Sequence, residues 1–213
     1  SLDSVAEIIQ DHDHHLDHLD RTLEQAEARL NHDIEWKRRC LAALREQREI
    51  ISHGIGTVYF AELDEMAYLE YYGAEKLRAN KKLQGQVDQW LQGMPIVMPA
   101  PFCPRELVGQ DCYCPAGFMV RQADMDFLGL REEENVRVLP ARLCVCTTVA
   151  QREEIGIMAK EAIEPLLIFI QQTGLCVAGD ALFRCISFES NENSSGKIYY
   201  HVMLPVEVGK TSK

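Results

Sequence analysis

The sequence predicts an α+β protein: one long N-terminal helix followed by a domain of two β-α-β-β repeats with pseudo-two-fold symmetry. An apolar heptad pattern marks the helix, the period of the apolar residues changes from helical to alternating near residue 54, and the alternating part resembles itself once along its length. We therefore expect residues 1–12 to be the remnant of a preceding domain, 13–53 to form a dimerisation helix and 54–213 to form the repeat domain.

Composition and charge limit the classes of function. The chain has 213 residues, 46% of them hydrophobic, so it is long enough to bury a core. Its 22 basic and 33 acidic side chains give a net charge of −11, which repels the phosphate backbone of DNA or RNA. No apolar run approaches the roughly 20 residues of a membrane helix, and no secretory signal opens the chain. We expect a cytoplasmic protein whose residues touch neither nucleic acid nor membrane.

The long helix carries a coiled-coil seam. Its apolar positions recur in steps of three and four, with charged residues between them, and the pattern then slips as in a stutter. The seam consists of Leu16, Leu19, Leu23, Ala26 and Leu30, and continues after the slip at Ile34, Leu41 and Leu44. An isolated helix would leave this seam in water, so the helix either folds back on the chain or pairs with a second copy. We expect an antiparallel homodimer.

Two features precede the seam. Residues 2–10 form a short amphipathic stretch with Ser4 and Glu7 in capping-box spacing; it is too short to bury itself, so we assign it to a domain missing upstream. A cluster of histidines and aspartates follows, in which His14 and His18 lie one helical turn apart and could hold a metal. A solvated polar start of the helix is the favoured alternative, because no thiolate or second cluster completes a site.

The repeat domain is predicted from alternating apolar residues and turn signals. The first repeat comprises a strand over 57–72, a helix over 75–91 and strands over 102–108 and 113–121. The second comprises a strand over 136–149, a helix over 153–173 broken near Pro165, and strands over 181–188 and 198–206. Residues 63–70 match residues 139–146. Two copies of one unit imply a cleft between them.

The cysteines indicate packed thiols. There are eight, including the C-x-C pairs Cys112/Cys114 and Cys144/Cys146, but no C-x-x-C spacing of a zinc or redox site. Residues two apart on a strand face the same side of the sheet, so each pair is predicted to supply two small apolar side chains. We expect reduced thiols, no cofactor and no metal.

Several stretches resemble, in order and spacing, the C-terminal part of MerR-family transcription regulators with a GyrI-like, multidrug-binding effector domain. They are residues 1–9 (SLDSVAEII), 56–60 (GTVYF), 139–142 (LPAR), 174–179 (GLCVAG) and 204–206 (LPV). The resemblance implies a small hydrophobic ligand, a homodimer through the N-terminal helix, promoter DNA bound only through a missing winged helix-turn-helix domain, and RNA polymerase as a partner of the full-length regulator. It implies no enzymatic activity.

The candidate ligand site lies on the long strands. Alternation places Met66, Tyr68, Glu70 and Tyr72 on one face, and the internal repeat matches Tyr68 to Cys144 and Glu70 to Cys146. Two aromatic rings around a carboxylate have the chemistry of a cation trap, so a hydrophobic cation is the favoured ligand. The alternative is that Glu70 faces water and both tyrosines are ordinary sheet residues.

The resemblance adds Phe183 and Tyr199 to the site, as positions that line the pocket in relatives, with a core role as the alternative. It also places a ligand-lining aromatic on the strand of Cys144. The sequence departs from the family in three places: Arg184 is the charge nearest to where relatives carry an acid, Cys144 replaces the aromatic residue, and His201 stands where many relatives have Glu. These departures leave a smaller or differently charged ligand open.

Two other functions stay open at this point. Some GyrI-like proteins resemble hydrolases of strained electrophiles, for which Glu70 would serve as general base and Tyr68 as proton donor. A protein-binding module that uses an acidic surface, as in gyrase-inhibitory relatives, is the second; the attached helix argues against it.

Overall fold

A computed structural model describes the backbone of residues 2–71, 80–152, 157–158, 160–191 and 194–209, and the side chains of 16–71, 80–111, 114–151, 160, 162–189 and 196–209. The chain divides into two compact units, Ser1–Leu44 and Arg45–Lys213. The second unit, called the sheet unit below, contains all the strands and the last turns of the N-terminal helix.

Helix α1 (Leu2–Ser52) continues without a break across residue 12, where the sequence predicts a boundary between two segments. Glu35 pairs with Arg38 at 3.1 Å and with Arg39 at 2.8 Å, the spacing at which side chains meet on one helix face. The seam is solvent-exposed in the single chain: Leu16, Leu19, Leu23 and Leu30 are 51–62% exposed. No helix in the described part of the chain has the length and hydrophobicity needed to cross a membrane.

The elements of the first half are β1 (Tyr59–Leu63), β2 (Met66–Glu70), α2 (Lys81–Gln92), β3 (Met98–Pro99), β4 (Phe102–Cys103), β5 (Cys112–Tyr113) and β6 (Gly117–Arg121). Helix α2 begins where the Asn80 side chain accepts hydrogen bonds from the backbone N–H groups of Lys82 and Leu83, both at 3.1 Å. The predicted strand over 102–108 is wrong beyond Cys103, because a 3₁₀ turn (Arg105–Leu107) follows.

The second half contains β7 (Val136–Leu139), β8 (Arg142–Arg152), β9 (Ile157–Met158), α3 (Lys160–Thr173), β10 (Leu175–Val177), β11 (Ala181–Asn191) and β12 (Ser194–Val208). Helix α3 runs through Pro165, so the predicted break there is wrong. Because Pro165 lies in the second turn, its missing N–H removes a single bond, to the carbonyl of residue 161, close to the start of the helix.

Both long strands are interrupted, which the alternation did not predict. Residues 57–72 were expected as one strand and form β1 and β2; residues 136–149 form β7 and the start of β8. The two pair antiparallel in one constant register, with Leu63 opposite Arg142 and Met66 opposite Leu139. The interruptions at 64–65 and 140–141 therefore lie opposite each other. At these residues each long strand passes from one sheet into the other.

The larger of the two main sheets has six strands, in the order β1-β8-β12-β11-β4 with β10 beside β12, and the other has four, in the order β3-β6-β2-β7. A buried cluster draws on both sheets, including Tyr68, Phe102, Met119 and Cys144. A second cluster joins the opposite face of the first sheet to α3, through Phe183, Ile163 and Leu166. Six buried residues of the first cluster also line the cavity described below.

Candidate ligand-binding cavity

A cavity of about 230 Å³ opens in the sheet unit. Its wall combines the end of α1, the inner face of β1 and residues of both larger sheets. The lining residues are Glu46, Glu49, Ile50, His53, Tyr59, Ala61, Glu62, Leu63, Asp64, Met66, Met98, Met119, Arg121, Cys144, Cys146, Arg184, His201 and Met203. The cavity thus has an apolar part, rich in sulfur, and a polar part.

Six sulfur-containing side chains form the apolar part: Met66, Met98, Met119, Met203, Cys144 and Cys146. All are buried, with at most 9% exposure. Thioether side chains are polarisable and change rotamer easily, which suits a surface that adapts to apolar ligands. Burial raises the pKa of the Cys144 thiol to about 12, and it raises the pKa of Cys146 as well. Both cysteines are neutral at pH 7 and act as small apolar groups.

Glu46 joins the end of α1 to both sheets. Its carboxylate binds Nη2 of Arg121 on β6 at 2.6 Å and also Nη1 of Arg184 on β11. Arg121 has a second partner in Asp64 at 2.9 Å, whereas the Arg184 side chain is only 5% exposed and depends on Glu46 for its charge pairing. A buried guanidinium without a counter-charge is costly, so Glu46 stabilises this arrangement.

Tyr59 and His201 form a second polar contact in the wall. The Tyr59 hydroxyl lies 2.9 Å from Nε2 of His201, and the ring of His53 stacks on Tyr59 at 3.9 Å between centroids. Burial raises the pKa of Tyr59 to about 12. Burial, the Arg184 charge and His53 lower the pKa of His201 to about 4, so this imidazole is neutral at pH 7. Its Nδ1 is buried and has no hydrogen-bond partner among the described residues.

The lining carries an excess of negative charge. The lining contains four acids, Glu46, Glu49, Glu62 and Asp64, and two arginines, Arg121 and Arg184, so these six side chains sum to a charge of −2. Glu46 and Asp64 are bound to the arginines. Glu49 and Glu62 have no cationic partner within 4 Å in the described part of the chain. Their charges remain available to a ligand.

Acid is expected to destabilise the sheet unit through His201. The unfolded chain binds this proton near pH 6.5, the folded chain only near pH 4. The unfolded state therefore holds more protons between these values, so stability is complete above about pH 6.5 and decreases as the pH falls toward 4, by about 3 kcal/mol in all. Urea unfolding of wild type and His201→Gln at pH 7 and pH 4.5 measures the difference. An equal acid sensitivity of the two proteins would contradict the assignment.

Of the predicted site residues, Cys144 and Cys146 lie in the cavity wall. Tyr68, the counterpart of Cys144 in the repeat, lies in the packed interior. It is 0% exposed, its hydroxyl donates to the Ala100 carbonyl at 2.8 Å, and its ring packs against Phe102. Gly117 permits this position, since a Cβ there would collide with the Tyr68 ring. The role of Tyr68 as a proton donor in a hydrolase is therefore not favoured.

Glu70, Phe183 and Tyr199 do not line this cavity. Glu70 is partly buried beside Tyr71 and Arg137. Phe183 faces α3, because Leu182 and Arg184 take the opposite side of the strand. Tyr199 donates to Glu189 at 3.1 Å near the surface. Tyr72 lies outside the described residues. This geometry does not support ligand binding by Glu70, Phe183 and Tyr199, and ligand binding by Tyr72 stays a prediction.

Alternation predicts Met66 on the face of Tyr68, but the other methionines, Glu46, Glu49, Glu62, Tyr59 and Arg121 are not among the predicted site residues. Arg184 and His201 are departures from the family pattern in the sequence, and neither is among the predicted site residues. The methionines come from four strands, so no local pattern unites them. A signal did exist for Tyr59, which shares the inner face of β1 with Ala61 and Leu63 by alternation.

Most of the histidine-aspartate cluster lies outside the described side chains. The side chains of His12, His14 and His15 lie outside the described residues, and His18 is exposed. Within the described ranges no group of three or more His, Cys, Asp and Glu side chains is arranged to hold a metal ion.

No family model and no curated protein matches the chain. Among solved structures, the EcmrR C-terminal domain is 13% identical, with a TM-score of 0.42, over 71% of this chain and 98% of that chain. EcmrR in a cryo-EM structure of the EcmrR–DNA complex in EcmrR-RPo is 16% identical, with a TM-score of 0.42, over 89% and 70%. A candidate bacterial transcription regulation protein from Staphylococcus aureus MU50 is 13% identical, with a TM-score of 0.35, over 70% and 97%.

Proposed function

We propose that this chain is the ligand-sensing and dimerisation part of a MerR-type transcription regulator, and that its cavity binds a hydrophobic cation. The observation that carries the proposal is the lining: six sulfur side chains beside an excess of acid, with Glu49 and Glu62 unpaired in the described part of the chain. An apolar pocket with a few convergent charges is the usual form of a small-molecule site. The sequence resemblance supplies the regulatory context.

The arrangement of strands supports a duplicated effector domain of the GyrI-like type. The interruptions at 64–65 and 140–141 fall at matching places of residues 63–70 and 139–146. The cavity lies beside the point where the two long strands pair, as a cleft between halves would.

The cavity wall offers a route from ligand to helix. Glu46, Glu49 and Ile50 line the cavity and belong to α1, the helix that also carries the seam. A ligand that prefers one position of these side chains shifts the population of the helix end accordingly. In the full-length regulator, that shift would reach the DNA-binding domain and promoter through the helix.

The test is calorimetric titration with benzyltrimethylammonium and with neopentylbenzene, a neutral molecule of the same shape. We expect the cation to bind more tightly than the hydrocarbon, because only the cation gains from the unpaired carboxylates. The double variant Glu49→Gln/Glu62→Gln should lose about tenfold in affinity for the cation and little for the hydrocarbon. Glu65→Gln, an exposed acid outside the lining, is the control. Equal binding of both compounds would overturn the cationic specificity.

Dimerisation through the seam is tested by Leu19→Glu/Leu23→Glu. These leucines are 51% and 59% exposed in the single chain, so charges there cost the monomer little but disfavour helix pairing. We expect sedimentation equilibrium to give a dimer for wild type and a monomer for the variant. Glu24→Gln, outside the seam, should remain dimeric. A monomeric wild type, or a dimeric leucine variant, would contradict this part of the proposal.

A further inference from the structure

We propose that a second cavity of the sheet unit binds a small organic carboxylate. This cavity has a volume of about 290 Å³. Its apolar lining includes Leu63, Leu139, Leu182 and Pro205, and its cationic lining consists of Arg105 and Arg142. It shares Leu63 with the first cavity and lies beside the same pairing of the long strands. Its ligand chemistry is opposite in charge to that of the first cavity.

The internal match of the two long strands explains both the position and the charge. In the first cavity, the first long strand contributes Leu63, Asp64 and Met66. The matching residues of the second long strand, Leu139, Pro140 and Arg142, line the second cavity. An acid has thus become a proline and a methionine an arginine. The two cavities thus draw on matching residues of the two long strands, and these residues differ in charge.

The cationic groups lack acidic partners. Asp180, the acid in this lining, accepts a hydrogen bond from the backbone N–H of Arg105 at 3.0 Å and pairs with Arg137 at 3.3 Å. Its charge is thereby neutralised by Arg137. Among the described residues, no carboxylate lies within 4 Å of the guanidinium of Arg105 or Arg142. Both arginines are solvent-exposed and neither guanidinium is paired with Asp180 or another described carboxylate, which in a chain of net charge −11 favours an anionic ligand at this largely apolar cavity.

Arg142 is also held in place. Its Nη1 donates to the Ala178 carbonyl at 2.9 Å, beside Gly179. A Cβ at position 179 would lie 2.7 Å from Nη1 of Arg142, so the glycine makes room for the guanidinium. A guanidinium positioned in this way loses little conformational entropy when a ligand binds. Its planar fork matches the two oxygens of a carboxylate better than it matches a single point charge.

The ligand class follows from these features together. The leucines and prolines suit an apolar body, the arginines suit a carboxylate, and the volume suits a molecule with a single ring. Benzoate is therefore the probe, and benzyl alcohol is its neutral counterpart.

The experiment is calorimetric titration of the whole chain with benzoate at millimolar concentration. Arg142→Gln and Arg105→Gln should each weaken binding about tenfold, and Gly179→Ala should weaken it by a smaller factor through the displaced Arg142. Arg131→Gln, an exposed arginine outside the lining, should bind like wild type, and benzyl alcohol should bind more weakly than benzoate. Thermal unfolding of each variant checks that it is folded.

Two outcomes would overturn the proposal: no binding of benzoate by wild type, or binding that the arginine variants leave unchanged. Displacement of benzoate by an acidic peptide of much higher affinity would instead assign the cavity to a protein partner, which also contradicts the small carboxylate. Benzyltrimethylammonium binding in the first cavity should be the same in Arg142→Gln and wild type. Failure of one site is thus distinguishable from failure of the other.

Discussion

Replacing Glu46 by alanine is expected to lower the free energy of unfolding of the sheet unit by about 3 kcal/mol. The carboxylate contacts Arg184 and Arg121, and the Arg184 side chain is only 5% exposed. Loss of the Glu46 carboxylate leaves the Arg184 guanidinium buried without a counter-charge, and this costs more free energy than the ion pair itself contributes. Denaturant unfolding followed by the tyrosine and tryptophan fluorescence of the sheet unit measures the change.

Two further variants separate this mechanism from a general loss of charge. Glu35→Ala removes the pairs with Arg38 and Arg39 on the surface of α1 and should change stability by less than about 0.5 kcal/mol. Glu46→Ala/Arg184→Met should recover most of the loss, because the buried charge is gone. If Glu46→Ala unfolds like wild type, or if the second substitution gives no recovery, Glu46 is not the stabilising partner of Arg184.

Filling the first cavity is expected to abolish binding of the lipophilic cation. Ala61 lies on the inner face of β1, opposite Cys144, and lines the cavity. A tryptophan at this position would occupy a large part of the 230 Å³ and leave no room for a ring. We expect Ala61→Trp to weaken binding of benzyltrimethylammonium on the order of a hundredfold or more.

The matched control is Ala150→Trp, at an exposed position of β8 opposite Tyr199 and outside the lining. It should bind like wild type. Circular dichroism should show that both variants are folded, since the new side chain of Ala61→Trp enters existing space. Wild-type affinity of Ala61→Trp would mean that the cation binds elsewhere, and the proposed function would then lose its main support.

The sequence predicts which helices and strands form better than it predicts where they begin and end. Periodicity predicted the long helix, both later helices and the long strands. It did not predict that the strands break at 64–65 and 140–141, although the consecutive acids Asp64 and Glu65 interrupt the alternation of apolar and polar residues at the first break. A signal existed in Pro140, since proline interrupts the hydrogen bonds of a ladder.

The site residues predicted on the second long strand line the cavity, whereas Tyr68 on the first long strand does not. Alternation and the C-x-C spacing placed Cys144 and Cys146 on one face, and both line the cavity. Alternation also placed Tyr68 on an inward face, but this residue is packed in the interior. Tyr68 and Cys144 occupy matching positions of the two long strands, and whether space remains beside each depends on side-chain volume and on residues distant in the chain. For Tyr68 these residues are Phe102 and Gly117, whose proximity is seen only in the fold.

The polar part of the cavity could not be predicted because its members are far apart in the chain. Glu46 meets Arg184 across 138 positions, and Tyr59 meets His201 across 142. Charged residues on an amphipathic helix are ordinarily solvated, so nothing in α1 alone distinguishes Glu46 from its neighbours. Only the pairing of both sheets with the helix end brings these groups together.

The central claim is that the first cavity holds a hydrophobic cation, and the methionine methyl groups report on it directly. The chain has seven methionines, and Met66, Met98, Met119 and Met203 line the cavity whereas Met94 and Met125 do not. With ¹³C-methyl methionine, a titration with benzyltrimethylammonium should shift the four lining resonances together and saturably, and leave those of Met94 and Met125 in place. Shifts confined to Met94 or Met125, or none at saturating concentration, would contradict the claim.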